Sequence, residues 1–143
     1  MTALEIPAVL RRWFVVHAVI DLLVALPLLI APETFLHSLG WTVVDPPSAR
    51  LVGAALLAIG GQSWIGRNGS AAAYRAMLNL KLLWSGGAIA GLFVSLGDAQ
   101  TPDAVWGFLA LFIAFFGIWF YYRIRMKQIG RMSELDEDTG CAN

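Results

Sequence analysis

Apolar residues dominate four stretches of the chain, and basic, polar and turn-forming residues collect between them. The stretches cover about residues 13–31, 49–66, 71–96 and 102–126. Three fall within the roughly 17–25 residues that a helix needs to cross a hydrocarbon core at about 1.5 Å of rise per residue, and 71–96 exceeds that range by one. The start signals are local. Pro46 and Pro47 break the chain and place Ser48 to cap the second helix, while Asn68-Gly69 turns into Ser70, a candidate cap for the third. Thr101-Pro102-Asp103 offers a cap, a proline at the first helical position and an acid near the positive end of the fourth helix. Between the first two stretches, Pro32 can open a short helix and Gly40 can close it, with Phe35, Leu36 and Leu39 on one side. That pattern predicts a helix lying in the membrane interface, with Trp41 anchored at headgroup level.

Composition agrees with this pattern. The 143 residues are 58% apolar and 14% charged, against roughly 25% charge in ordinary soluble domains, and the mean hydropathy is +0.67. A formal charge of zero argues against a nucleic-acid partner. The expected fold is all-α: an integral membrane four-helix bundle over residues 1–128, followed by an acidic, disordered cytoplasmic tail over 129–143. Arg11, Arg12, Arg67, Arg75, Arg123, Arg125, Lys127 and Arg131 fall on one side of this layout and only Arg50 on the other. By the positive-inside rule both termini face the cytoplasm of a bacterial inner membrane. Arg11-Arg12 resembles a twin-arginine export signal, but the apolar stretch after it carries His17 and Asp21 and leads into further spans. The single cysteine, Cys141, has no partner for a disulfide and sits one place too late for a prenylation box.

In lipid, helices associate by close packing, so small residues mark candidate contact faces. The second span offers Ala54, Ala58 and Gly61, and the third Gly86, Gly87, Ala90 and Gly91. On the fourth, Gly107, Ala110, Ala114 and Gly117 share one face, opposite Phe108, Phe112, Phe115, Phe116 and Trp119. The expectation is a small stripe turned inward and an aromatic face turned outward, toward lipid or a docking partner, pigment, quinone or sterol.

Charged groups inside a span cost roughly 2.5–3.5 kcal/mol each, so each needs a reason. His17 and Asp21 are one turn apart on the first span, and Lys81 lies in the third, which runs the same way. Asp21 is eight residues past Trp13 and Lys81 six past Arg75, which puts both about 10 Å inside the cytoplasmic boundary. Gln62, five residues before Arg67, reaches a similar level. The expected arrangement is an Asp21–Lys81 ion pair with His17 and Gln62 as neighbours. It acts either as a structural pair that sets which helix faces which, or as the polar floor of a cavity that relays a proton or holds a headgroup. Asn79, about 200° around the helix from Lys81, is expected to bond across a different helix contact. Glu33 and His37 form a second pair near the outer interface, too few ligands for a metal site. His17 and His37 lie on opposite sides of the membrane, which disfavours haem.

Ala31-Pro32-Glu33, Leu39-Gly40-Trp41 and the run Pro47-Ser48-Ala49-Arg50-Leu51-Val52-Gly53-Ala54-Ala55-Leu56 resemble the DoxX-like small four-helix bacterial membrane proteins over most of residues 10–126. The resemblance implies a four-helix membrane fold. For some members it implies association with thiosulfate-to-quinone electron transfer or with membrane redox partners. No catalytic residue carries over, and the absence of useful cysteines speaks against thiol chemistry here. The expected role is a binding or accessory subunit for a lipid-like ligand or a larger membrane complex, more a binder than an enzyme. No cofactor is required, although quinone or lipid would fit. A quinone-linked oxidoreductase component and an oligomeric proton-coupled carrier are the alternatives.

Overall fold

The computed structural model describes residues 6–140, with side chains as far as Gln128. Five helices make up the described chain: α1 (Ala8–Ile30), α2 (Pro32–Ser38), α3 (Pro46–Ile65), α4 (Ala71–Ser95) and α5 (Ala104–Gly140). A 3₁₀ turn, Gly66–Asn68, joins α3 to α4. Among the described residues, three helices are long and apolar enough to cross a membrane: α1, α4 and α5 over Ala104–Gln128. The 20-residue α3 is not one of them, because Pro46, Pro47, Arg50 and Gln62 dilute its apolar content. Outward-facing side chains are apolar too, with Leu23 68%, Ile30 76%, Leu83 77% and Val94 77% exposed. Helices apolar on every side belong in lipid. This is a helical membrane protein.

The helix ends follow from local chemistry, with three departures from expectation. Ala31 precedes Pro32 and leaves the helical region (φ −141°, ψ 64°), as a residue before proline is pushed to do. The C-terminal turn of α1 takes a donor from across the fold, since Arg50 Nε donates to Leu29 O at 3.3 Å. The first departure is at α3, whose cap is Asp45 rather than Ser48. The Asp45 carboxylate accepts from Ser48 N at 3.2 Å, and both prolines sit in the first turn, where a missing N–H leaves nothing unpaired. Ser70 does cap α4, accepting from Ala73 N at 3.3 Å.

The second departure is at α5, which begins at Ala104. Thr101 Oγ1 turns back to donate to Ser95 O, so Thr101 closes α4 instead of opening α5. The third is the far end of α5. Residues 129–140 continue as helical backbone where an uncoiled tail was expected, because no proline interrupts a run that extends an already nucleated helix. Residues 141–143, the end of that expected tail, lie outside the described chain.

Two antiparallel helix pairs form the body. In the first, α3 meets α1 backbone to backbone. A methyl group on Gly60 would lie 2.7 Å from Asp21 Cβ, and one on Gly53 would lie 3.0 Å from Leu28 Cβ. The contact face of α3 is therefore Ala49, Gly53, Leu56, Gly60 and Ser63, all buried. Ala54 and Ala58 face outward and Gly61 faces open space, contrary to the small-residue face expected of this helix. Two stripes of small residues compete on α3, and Ala18, Asp21 and Ala25 of α1 select the one that fits them.

In the second pair, α5 crosses α4 near Gly86, where a Cβ would stand 3.5 Å from the Phe116 ring. Gly87 and Gly91 have nothing within 4 Å of such a Cβ. Here the expected orientation of α5 is inverted. Phe115 and Trp119 are buried at 6% and 0% exposure, while Gly107, Ala110, Ala114 and Gly117 are exposed. The reason is volume. The space between the two pairs is wide, and only large rings fill it without leaving voids.

Gly60 and Gly61 make a matched test of this packing. Gly60→Ala drives a methyl group into Asp21 and is expected to destabilise by about 1–3 kcal/mol. Gly61→Ala, in open space, is expected to be neutral or to stabilise by up to about 1 kcal/mol through helix propensity. Thermal unfolding in detergent, followed by circular dichroism, checks the opposite signs.

Candidate functional site

His17 and Asp21 sit one turn apart on the buried face of α1, and Lys81 reaches them from α4. All three are buried, at 5%, 6% and 2% exposure. The expected direct ion pair is not what forms. The His17 ring stands between the charges, with Nδ1 2.7 Å from Asp21 Oδ2 and 3.0 Å from Lys81 Nζ. A single ring nitrogen offers one in-plane position, either a lone pair or a hydrogen. It can accept from the lysine or donate to the carboxylate, but it cannot do both. The geometry favours the lysine, because Asp21 Oδ2 finds no hydrogen bond of acceptable angle despite its closeness.

The surroundings are aromatic. Lys81 Nζ lies 5.0 Å from the Phe14 ring centre and 4.9 Å from that of Trp119. Two desolvated ring faces of this kind supply on the order of 2 kcal/mol each to a cation that water cannot reach. Phe115 and Trp119 meet the imidazole in T-shaped arrangements at 4.7 and 5.2 Å between centres. Ser85 spends its hydroxyl on Lys81 O at 2.6 Å, and Ser63 on Ile59 O at 2.7 Å, so neither serine joins the cluster.

Gln62 stays outside. It shares the level of the cluster but is exposed on the far side of α3, since Gly60 and Ser63 occupy the face toward α1. Asn79 bonds across a different contact, accepting from Arg123 Nε of α5 at 2.6 Å. Phe14 and Trp84 belong to the site and were not singled out from the sequence. Their spacing would have found them, three residues before His17 and three after Lys81.

Above the cluster, between the two helix pairs, lies a cavity of about 440 Å³. His17 and Asp21 line one end, Leu28 and Trp84 the middle, and Phe35 of α2 with Trp41 the other end. His17 to Leu28 alone spans about 17 Å of helix. Of the aromatic residues expected to face outward, Phe108, Phe112 and Phe115 line this cavity, Trp119 packs below it on His17, and Phe116 turns toward α4 and stacks on Phe120. The expected outer docking face is the inner wall. A half-open cleft of this size, apolar along its length and polar at one end, lies in the range of small-molecule sites.

Just after α2, His37 Nδ1 donates to Trp41 O at 2.6 Å, which ties Trp41 back to that helix. Among the described residues no group of three histidine, cysteine, aspartate or glutamate side chains is placed to hold a metal. No family model, curated protein or solved structure matches the chain.

The contacts of His17 imply strong coupling between Asp21 and Lys81. Lys81→Met alone leaves Asp21 buried without a counter-charge and is expected to cost about 3–5 kcal/mol. The double variant Asp21→Asn/Lys81→Met removes both charges, and its cost is expected to fall short of the summed single variants by at least about 1 kcal/mol. A double-mutant cycle of unfolding free energies in detergent measures that difference, and simple additivity would show the charges to be independent.

Proposed function

We propose that the protein is a four-span bundle of the bacterial inner membrane, with both termini cytoplasmic, and that it holds a lipid-like molecule in its interior. The observation that carries this reading is the cavity of about 440 Å³ with His17 and Asp21 at one end and an apolar, aromatic wall along the rest. A body of hydrocarbon gains little by leaving lipid for this wall, so the free energy that holds a ligand comes from its polar head. In the membrane core a head has no water to bond, and the cluster offers it partners there. The floor supplies specificity and the wall supplies shape. The sidedness of the basic residues supports the orientation, and α3, the long helix that is not by itself apolar enough to be a candidate span, completes the bundle as the fourth span because Gly53 and Gly60 bind it closely to α1.

The DoxX-like layout of the sequence fits this reading. A second reading, a quinone-handling component of a membrane oxidoreductase, draws on the same wall, since the rings of Phe108, Phe112 and Phe115 suit a flat aromatic head.

Purification in mild detergent followed by native mass spectrometry is expected to show one bound amphiphile per chain. Ala88 lines the cavity, and Ala88→Trp is expected to remove that adduct while the helical circular dichroism is kept. An adduct identified as quinone moves the assignment to the second reading. A wild-type protein free of any adduct, which also takes up no long-chain amphiphile after delipidation, rejects both. The orientation has its own check. In intact cells a membrane-impermeant maleimide is expected to leave Cys141 unlabelled until the membrane is opened, and labelling beforehand reverses the topology.

A further inference from the structure

We propose that the cavity selects an amphiphile with an uncharged hydroxyl head, which donates its hydrogen to Asp21. The inference rests on the cavity being a ligand site and adds the chemistry of its occupant.

Asp21 is 6% exposed and lines the cavity floor. An ionised carboxylate has about four acceptor positions and buries at high cost if they stay empty. In this fold it receives only the off-angle approach of His17 Nδ1, and Oδ2 has no hydrogen-bond partner. The imidazole cannot complete the set, because the same nitrogen stands 3.0 Å from Lys81 Nζ. On the α3 side Gly60 closes in, leaving no room even for a methyl group. Oδ2 is thereby closed off between His17 and α3, so a donor from the cavity, whose floor Asp21 lines, has to come to the other carboxylate oxygen.

The position of the cation narrows the head further. Lys81 is not among the residues that line the cavity. It is held behind His17, between the rings of Phe14 and Trp119. A head entering from above meets an acceptor first and no free cation. A carboxylate or phosphate head would face a like charge in a medium that screens poorly. An ammonium head would add a second buried cation beside Lys81 with one carboxylate to serve both. An ether, ester or ketone can accept from the imidazole but brings no hydrogen to Asp21. A hydroxyl brings the hydrogen.

The test uses the full chain in detergent micelles and two bromine-labelled probes, a long-chain alcohol and its methyl ether. Both carry an oxygen, and only the alcohol carries the hydrogen that Asp21 needs. Saturable quenching of tryptophan fluorescence reports occupancy, since Trp41 and Trp84 line the cavity. The alcohol is expected to bind about tenfold more tightly than the ether, the usual scale for a hydrogen bond to a charged group. Asp21→Asn, whose amide can also donate to the ether, is expected to shrink that gap to less than about threefold. Trp84→Phe, a change in the wall away from Asp21, is expected to preserve the ratio. Should Asp21→Asn fail to fold, the wild-type ratio and its persistence in Trp84→Phe still decide. Equal, saturable quenching by both probes in the wild type overturns the hydroxyl assignment and leaves the cavity a binding site. No saturable quenching by either removes the site itself.

Discussion

One imidazole nitrogen held between a buried carboxylate and a buried ammonium sets the terms for the rest of this structure. The His17–Asp21–Lys81 contact lies where water does not reach, so each partner depends on the others and on the dipoles and rings around them. It joins α1 to α4 at a single register. Sliding α4 by one turn, about 5.4 Å, would leave two charges stranded in hydrocarbon. Ordinary apolar packing tolerates slippage far better, since one leucine replaces another at little cost.

The other elements are arranged around this contact. The helix α3 approaches closely enough at Gly60 to cover one side of Asp21, and α5 presents Phe115 and Trp119 to the ring of His17. Phe14 and Trp119 shield the lysine while lending it the negative faces of their rings. Large side chains keep the two helix pairs apart, and where those side chains point away from one another the cavity opens. The same spacing that accommodates the polar cluster thus creates room above it. A core of small residues would have drawn the pairs together and closed that room.

Much of the cluster was legible in the residue order. His17 and Asp21 stand four apart, a spacing that stacks them on one helix face, and counting residues from the basic flanks brought Lys81 to their level. Depth is a one-dimensional quantity, and rise per residue supplies it. Azimuth is not. Gln62 has the right depth and the wrong direction, because the face of α3 that meets α1 was decided by how Gly53 and Gly60 fit against α1. The inverted α5 has the same origin. Its small and aromatic stripes are both plain in the sequence, but which one turns inward depends on the width of the gap it faces.

Hydrophobic length, the prolines and the caps were enough to establish that this is a helical membrane protein, where each apolar segment lies and which ionisable groups are buried at a shared height. Those properties are local, set by each residue's own backbone preference and its own cost of transfer into lipid. The tertiary structure alone decided that His17 separates Asp21 from Lys81, that the aromatic face of α5 lines the interior and that a cavity lies above the cluster. These depend on distances between helices, and such distances are set by pairs of surfaces fitting together, which no single segment contains.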